Sequence, residues 1–426
     1  MGILLYMYNL LYILFIDCKK GANIKMKQSI VRKTSVLLII TVLLIGACIL
    51  PAMGRTMDRH KTTLLEKQTV GSYKDLVFNR AITFLMKQGH MPSLSACIIK
   101  NNRIVWANGY GLYDIEHDKL ASENTIYAVA SISKTVTATA LMQLYEQGLF
   151  DLDDDINNYL NFGIRNPNHP DDPITFRMLL SHRSSLAEDP WQLHKEYPGD
   201  CPIPFYPFLK EYLVPGGSEY SLEIWADCRP GEEFHYTSMG FAIIGYLLEQ
   251  ISDQPFDHYC KDYIFNPLGM LNTSFRFADI EMDNLAVPYL YCFWGYEPYM
   301  HTSDVDYPSG CLLTTVMDLS QFLLAHMNGG EYNGVRILKE ETVEQMHTQH
   351  YPDGGYGLGW RIWEKRRGGT FIGHDGGNIG VSTGLKLRLS DDVAVIYFIN
   401  RKITLYKELT SERIIEKLLF MKANGL

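Results

Sequence analysis

Strand-like runs lie at both ends of the folding part of this chain, and the long stretch between them has a different texture. Residues 94–99 and 103–108 are apolar runs joined at Asn101-Asn102, a hairpin signal. Strand texture returns at 357–363, 370–374, 382–389 and 393–399, and an amphipathic helix over 408–421 follows. Strands at both ends of a helical middle predict one antiparallel sheet completed by the C-terminus and flanked by helices, an α+β arrangement.

Helical periodicity over 75–87 precedes the first strands. Between 160 and 300, turn residues and aromatics dominate, among them Trp191, Tyr197, Phe205, Tyr212 and Trp225, and helices are recognisable at 176–181, 238–251 and 256–264. This reads as an inserted, mostly helical, loop-rich region. Regular helices resume at 316–327 and 339–349. The 426 residues are 46% hydrophobic and 20% charged, the balance of a globular protein with a large core. A formal charge of −9 with Lys and Arg scattered argues against nucleic acid as a partner. The eight cysteines form no C-x-x-C and no His/Cys spacing of a zinc site, so they read as buried free thiols. Cys201 and Cys228 flank one loop-rich segment and could pair in an exported protein.

Residues 1–25 read as an upstream extension, with an apolar run over 3–16 too short to span a bilayer comfortably. Residues 26–54 have the layout of a signal peptide or membrane anchor: Met26, Lys27, Arg32 and Lys33, then an uncharged run over 36–50, then Pro51-Ala-Met-Gly54. Ile45-Gly-Ala-Cys48 also resembles a lipobox. The basic flank predicts that residues 55–426 face outward from the cell membrane, or are secreted if the signal is cleaved. A polar linker occupies 55–74, and one folded domain occupies 75–426.

The chemistry is concentrated at Ser131-Ile-Ser-Lys134, where an apolar run leads into a helical pattern with Val136, Ala140, Leu141, Leu144 and Tyr145 on one side. Gly148 is placed to end that helix. Residues three apart share a helix face, so the Ser131 hydroxyl and the Lys134 amine point the same way. A serine nucleophile whose proton is taken by a lysine needs that geometry, and a helix N-terminus adds positive partial charge for a developing oxyanion. Three further sites follow: Phe234-His-Tyr236-Thr-Ser238-Met-Gly240 before a helix, Gly373-His374-Asp-Gly376-Gly377 at a strand, and Ile174-Thr-Phe-Arg-Met-Leu-Leu180-Ser-His182-Arg-Ser-Ser-Leu186.

At these residues the chain resembles the serine β-lactamase-like family: penicillin-binding D,D-peptidases, class C β-lactamases and related esterases and D-aminopeptidases. The marks come in family order, S-x-x-K at Ser131–Lys134, Y-x-N at Tyr236–Ser238 and the K/H-x-G strand at His374–Gly376, with supporting likeness at 262–270, at 307–314 with Asp318-Leu319, and at 356–360. The resemblance covers about 75–420 and implies a β-lactamase/transpeptidase-like fold. It implies Ser131 as the acylated nucleophile, Lys134 as proton acceptor or relay, and Tyr236 as general base and then acid. It also implies an oxyanion hole from the N–H groups of Ser131 and Gly377, with His374 orienting Tyr236 or the substrate. Tyr159-Leu-Asn161 matches Y-x-N literally, but it lies where the family leaves the helix, so Tyr236 is preferred. Two departures count against antibiotic hydrolysis: Ser238 stands where the family has Asn, and His374 where true β-lactamases have Lys. The expected function is therefore an extracytoplasmic serine hydrolase acting through an acyl-enzyme on an ester, D-amino-acid peptide or amide. The alternative is a β-lactamase, or a penicillin-binding sensor that acylates with little turnover. The expected partners are a small-molecule or peptide substrate and the membrane; no cofactor and no metal are expected, since H-E-x-x-H, G-x-S-x-G and G-x-G-x-x-G are all absent.

Overall fold

Seven strands pair antiparallel in one sheet. In chain order they are β1 (Ser93–Lys100), β2 (Arg103–Asp114), β3 (Lys119–Leu120), β4 (Arg361–Lys365), β5 (Gly369–Asn378), β6 (Val381–Arg388) and β7 (Val393–Ile399). Across the sheet the order is β4-β5-β6-β7-β1-β2-β3. The first and last strands of the sheet in chain order therefore meet at its centre, where β1 pairs with β7 from Leu94 opposite Ile399 to Lys100 opposite Val393. Asn101 and Asn102 both adopt positive φ, 53° and 55°, in the two-residue turn between β1 and β2. The computed structural model describes residues 73–187, 196–292, 294–365, 369–403 and 406–426.

Period-two alternation buries both faces of the sheet. Leu94, Ala96 and Ile98 of β1, with Val393, Val395, Tyr397 and Ile399 of β7, face helices α1 (Tyr73–Gln88) and α5 (Tyr406–Ala423), whose Ile82, Met86, Ile415 and Leu419 complete that layer. Cys97 and Ile99, with Ala394, Ile396 and Phe398, face the larger core on the other side. There α2 (Ser133–Glu146) packs against α3 (Ser238–Ser252), and α4 (Val316–Met327) lies directly on β1, β2 and β7.

The terminal strands, the turn at Asn101-Asn102 and the α4 boundaries follow the sequence pattern closely. Other elements differ, each for a local reason. Helix α2 is buried on nearly every side, not along one stripe; Thr135, Thr137, Ala138, Thr139 and Ala140 are small enough for neighbours to close in all round. The strand predicted from 357 begins at Arg361, because Gly357–Trp360 is a turn in which the Gly357 N–H donates to Trp360 O at 2.8 Å and Gly359 has a φ of +80°. The glycines after His374 do not end β5, which runs on to Asn378. The helix predicted over 256–264 is α-helical to Cys260 and then winds as a π turn over Lys261–Phe265. A helix at Phe205–Leu213 and a hairpin of Tyr289–Cys292 with Gly295–Pro298 escaped the sequence reading, their periodicity hidden among aromatics.

The six described cysteines are free thiols, so Cys201 and Cys228 do not pair. Gly71–Leu426 forms one unit. The predicted extension, signal or anchor, and linker lie outside the described residues, apart from Tyr73 and Lys74 at the linker's end. Among the described residues, no helix is long and apolar enough to cross a membrane.

Candidate active site

Ser131 is held at the mouth of α2 by a short 3-10 turn, Ala130–Ile132, that leads into the helix. Ala130 takes a φ of +48°, a left-handed conformation that costs a non-glycine residue roughly 1–3 kcal/mol. The surroundings hold it there. Ser133 Oγ donates to Ala130 O at 2.6 Å, Leu312 N donates to Ser133 Oγ at 3.0 Å, and Thr383 Oγ1 of β6 donates to Val129 O at 2.9 Å. At the far end of α2, Gly148 with φ +71° reverses the chain, its N–H reaching Tyr145 O at 2.9 Å.

Lys134, 1% exposed, reaches back along the same face. Its Nζ donates to Ser131 Oγ at 3.2 Å, Ser238 Oγ at 3.4 Å and Ser309 O at 2.9 Å, and lies 5.2 Å from the centre of the Tyr236 ring. These three acceptors fix where the amine points. Ser309 is presented by the turn Tyr307–Ser309, against which α2 is pinned by Thr137 Oγ1 donating to Pro308 O at 2.6 Å. That turn also presses on α3 at Gly245, where a Cβ would stand 2.6 Å from Pro308. Tyr236 and Ser238 sit at the N-terminus of α3, either side of its N-cap Thr237. The structure thus brings Ser131, Lys134, Tyr236 and Ser238 together. Tyr159 is elsewhere: it packs edge-on against Phe176, and its hydroxyl donates to Asp154 Oδ2 at 2.6 Å.

The glycine-rich part of β5 closes the other side. A Cβ on Gly376 would stand 2.2 Å from Val129 O and 2.3 Å from Thr383 Oγ1, so only glycine lets the strand run beside the residues leading into Ser131. Gly377, next along, is open, its nearest obstacle being Val381 O at 3.9 Å. His374 is buried and has a partner the sequence reading did not assign. Its Nδ1 donates to Asp375 O at 2.6 Å, which leaves Nε2 to accept from the Tyr356 hydroxyl; the Tyr236 ring is 6.3 Å away, centre to centre. Burial, reinforced by the Lys134 charge, pushes the His374 imidazole down to about 3, so it is neutral at physiological pH.

His182, fully buried, was missed as a site residue. Its Nδ1 accepts the Thr237 N–H at 3.2 Å and its ring lies 4.3 Å from that of Tyr236, centre to centre. Burial, then the charge of Lys134, pushes it well below the ordinary histidine range. The signal was present: Ser309 and Tyr356 lie in stretches that support the resemblance, and His182 in the stretch 174–186 singled out beside them, while none carried an assigned role.

A beta-lactamase family profile matches residues 78–417. The chain belongs to the beta-lactamase family. Its relatives include protein flp of Staphylococcus aureus (strain N315), 25% identical over 253 residues, 57% of this chain and 47% of that protein. The chain thus spans about half the length of that relative. A putative D-alanyl-D-alanine carboxypeptidase of Escherichia coli (strain K12) is 26% identical over 309 residues, 64% of this chain and 68% of that protein. Among solved structures, the octameric penicillin-binding protein homologue from Pyrococcus abyssi superposes with a TM-score of 0.64 at 25% identity, covering 81% of this chain and 77% of that one. The fold is therefore that of the β-lactamase/transpeptidase group.

Proposed function

We propose that this protein is a serine hydrolase that forms an acyl-enzyme at Ser131 and acts on an ester, a D-amino-acid amide or a small D-peptide. The observation that carries the reading is the buried Lys134 amine 3.2 Å from Ser131 Oγ, with Tyr236 beside it. Ser131 Oγ attacks the substrate carbonyl carbon, and its proton passes to the Lys134–Tyr236 pair. The N–H groups of Ser131 and Gly377 receive the oxyanion. Tyr236 then protonates the departing oxygen or nitrogen, and water repeats the sequence in reverse to release the acid. The putative carboxypeptidase among the relatives supports a D-peptide or related amide. The site faces outward from the cell membrane, with the chain retained by or cleaved from its N-terminal segment.

A second reading is acylation with little turnover. It is favoured by Ser238, whose hydroxyl meets Lys134 at 3.4 Å, the outer edge of hydrogen bonding, and offers a substrate amide less than an Asn would. A fluorophosphonate probe should label the protein once, and Ser131→Ala should abolish both labelling and hydrolysis without loss of the fold. Retained hydrolysis in Ser131→Ala would end the mechanism. Product beyond one equivalent from a chromogenic ester separates turnover from a single acylation.

A further inference from the structure

The turn that delivers Tyr236 carries three metal-ligating side chains that the hydrolase chemistry does not use. Cys228 Sγ, a Glu233 carboxylate oxygen and a ring nitrogen of His235 all lie within 4.8 Å of one another. His235 Nε2 is 3.3 Å from Glu233 Oε2. Two ligands bound to one tetrahedral zinc at ordinary N and O distances stand about 3.3 Å apart, so this pair already has the separation a shared ion requires. We propose that Cys228, Glu233 and His235 form a binding site for a zinc-class divalent cation.

The surroundings fit a cation better than a chance meeting of side chains. Negative charge gathers here, since Asp227, Glu232 and Glu233 flank Cys228 in the chain. The same field attracts a divalent ion, and binding would release the thiol proton as the Sγ–metal bond forms. The one cation within the turn, Arg229, is drawn aside by Asp172 Oδ2 at 2.8 Å. Glu232 is occupied with the Arg229 N–H at 3.1 Å, which leaves Glu233 as the carboxylate ligand. The turn is also fixed before any ion arrives. The Gly231 N–H donates to Arg183 O at 2.7 Å, the His235 N–H to His182 O at 2.8 Å, and Asn166 Nδ2 to Cys228 O at 3.3 Å. Cys228 is buried while Glu233 is exposed, so a fourth position is open to water. A thiolate, an imidazole and a carboxylate together select zinc over calcium or magnesium. The ion would clamp the segment between Cys228 and His235, one residue before Tyr236. The proposal does not depend on the hydrolase reading.

The test uses the whole protein stripped with a chelator and titrated with Co²⁺ and then Zn²⁺. One equivalent of Co²⁺ should give a thiolate charge-transfer band and the intense visible bands of a four-coordinate ion, and Zn²⁺ should displace it. Cys228→Ser should lose the charge-transfer band. His235→Ala should weaken binding by about 100-fold or more. Cys292→Ser, a thiol elsewhere in the chain, should leave the spectrum unchanged. If Cys228→Ser fails to fold, Glu233→Gln at its exposed position gives the same test: binding at least tenfold weaker, with the metal-free melting temperature unchanged. Absence of a thiolate band at one equivalent, or a spectrum and affinity unaltered by Cys228→Ser and by Glu233→Gln, would overturn the site.

Discussion

Lys134 draws its three acceptors from three separate parts of the chain: the turn that opens its own helix, the start of α3, and the turn Tyr307–Ser309. Replacing any one changes how the amine is aimed. Tyr236→Phe keeps the ring and the contact with His182 but removes the hydroxyl. Its kcat should fall by roughly 10²–10⁴, with little change in melting temperature. Ser238→Asn adds two amide hydrogens at the mouth of the site, and it should raise turnover of amides more than of simple esters, because an amide oxygen is a stronger hydrogen-bond acceptor than an ester oxygen. Steady-state kinetics on a matched ester and amide pair checks both variants. A Ser238→Asn enzyme equally altered on the two substrates would show that the position acts on Lys134 instead of on substrate.

Among the elements, β5 and the Ser131 turn meet without slack at Gly376. Gly376→Ala places a methyl group against Val129 O and Thr383 Oγ1, and overpacking of this kind costs about 1–3 kcal/mol. Since it pushes apart the two walls of the cleft, activity should drop by about 100-fold, a larger loss than the stability change explains. Gly377→Ala, which meets open space, is the control for melting temperature. These elements also show where the sequence was readable. The hairpin at Asn101-Asn102, helix α4 and strands β6 and β7 announce themselves through local periodicity and turn chemistry, which act within a few residues. Ser131 and Lys134 were legible because one helical turn joins them. The pairing of His374 with Tyr356, the packing of His182 on Tyr236, and the convergence of Cys228, Glu233 and His235 were not. Each depends on how an irregular loop folds back, and no period encodes that. The helix at Phe205–Leu213 was hidden for a related reason, since the aromatics crowded in and around it mask its apolar stripe.

Across the whole molecule, buried charge sets the response to pH. Asp304 is nearly enclosed, its Oδ1 has no hydrogen-bond partner among the described residues, and burial, then the neighbouring Asp306 and Glu196, lift its carboxyl to about 8. A group raised in the fold from an unfolded value near 3.8 favours the folded state fully below about pH 4, and that contribution is lost as pH rises towards 8. The loss is roughly 1.4 kcal/mol per pH unit at most. Asp304→Asn should therefore melt higher than the unmodified protein at pH 7, and the difference should shrink steadily as the pH is lowered towards 4. Melting curves at several pH values decide it; a difference that does not vary with pH would show that Asp304 is not the protonated group. His374 and His182 act in the opposite sense, since both are neutral in the fold and free to charge when unfolded, so their contribution is present above about pH 6.5 and fades as acid is added.

The pairing of β1 with β7 fixes when this molecule can be finished. Residues 94–100 find their central partner only in residues 393–399, so during synthesis the growing chain carries an incomplete sheet until residues 393–399 are made. Until β7 arrives, β1 offers a bare edge on one side, and the β4–β5–β6 group has nothing to join it to β1. Long-range closure of this kind is slow. A ribosome that stalls between residues 388 and 393 leaves two half-sheets with exposed edges, fit for degradation or aggregation.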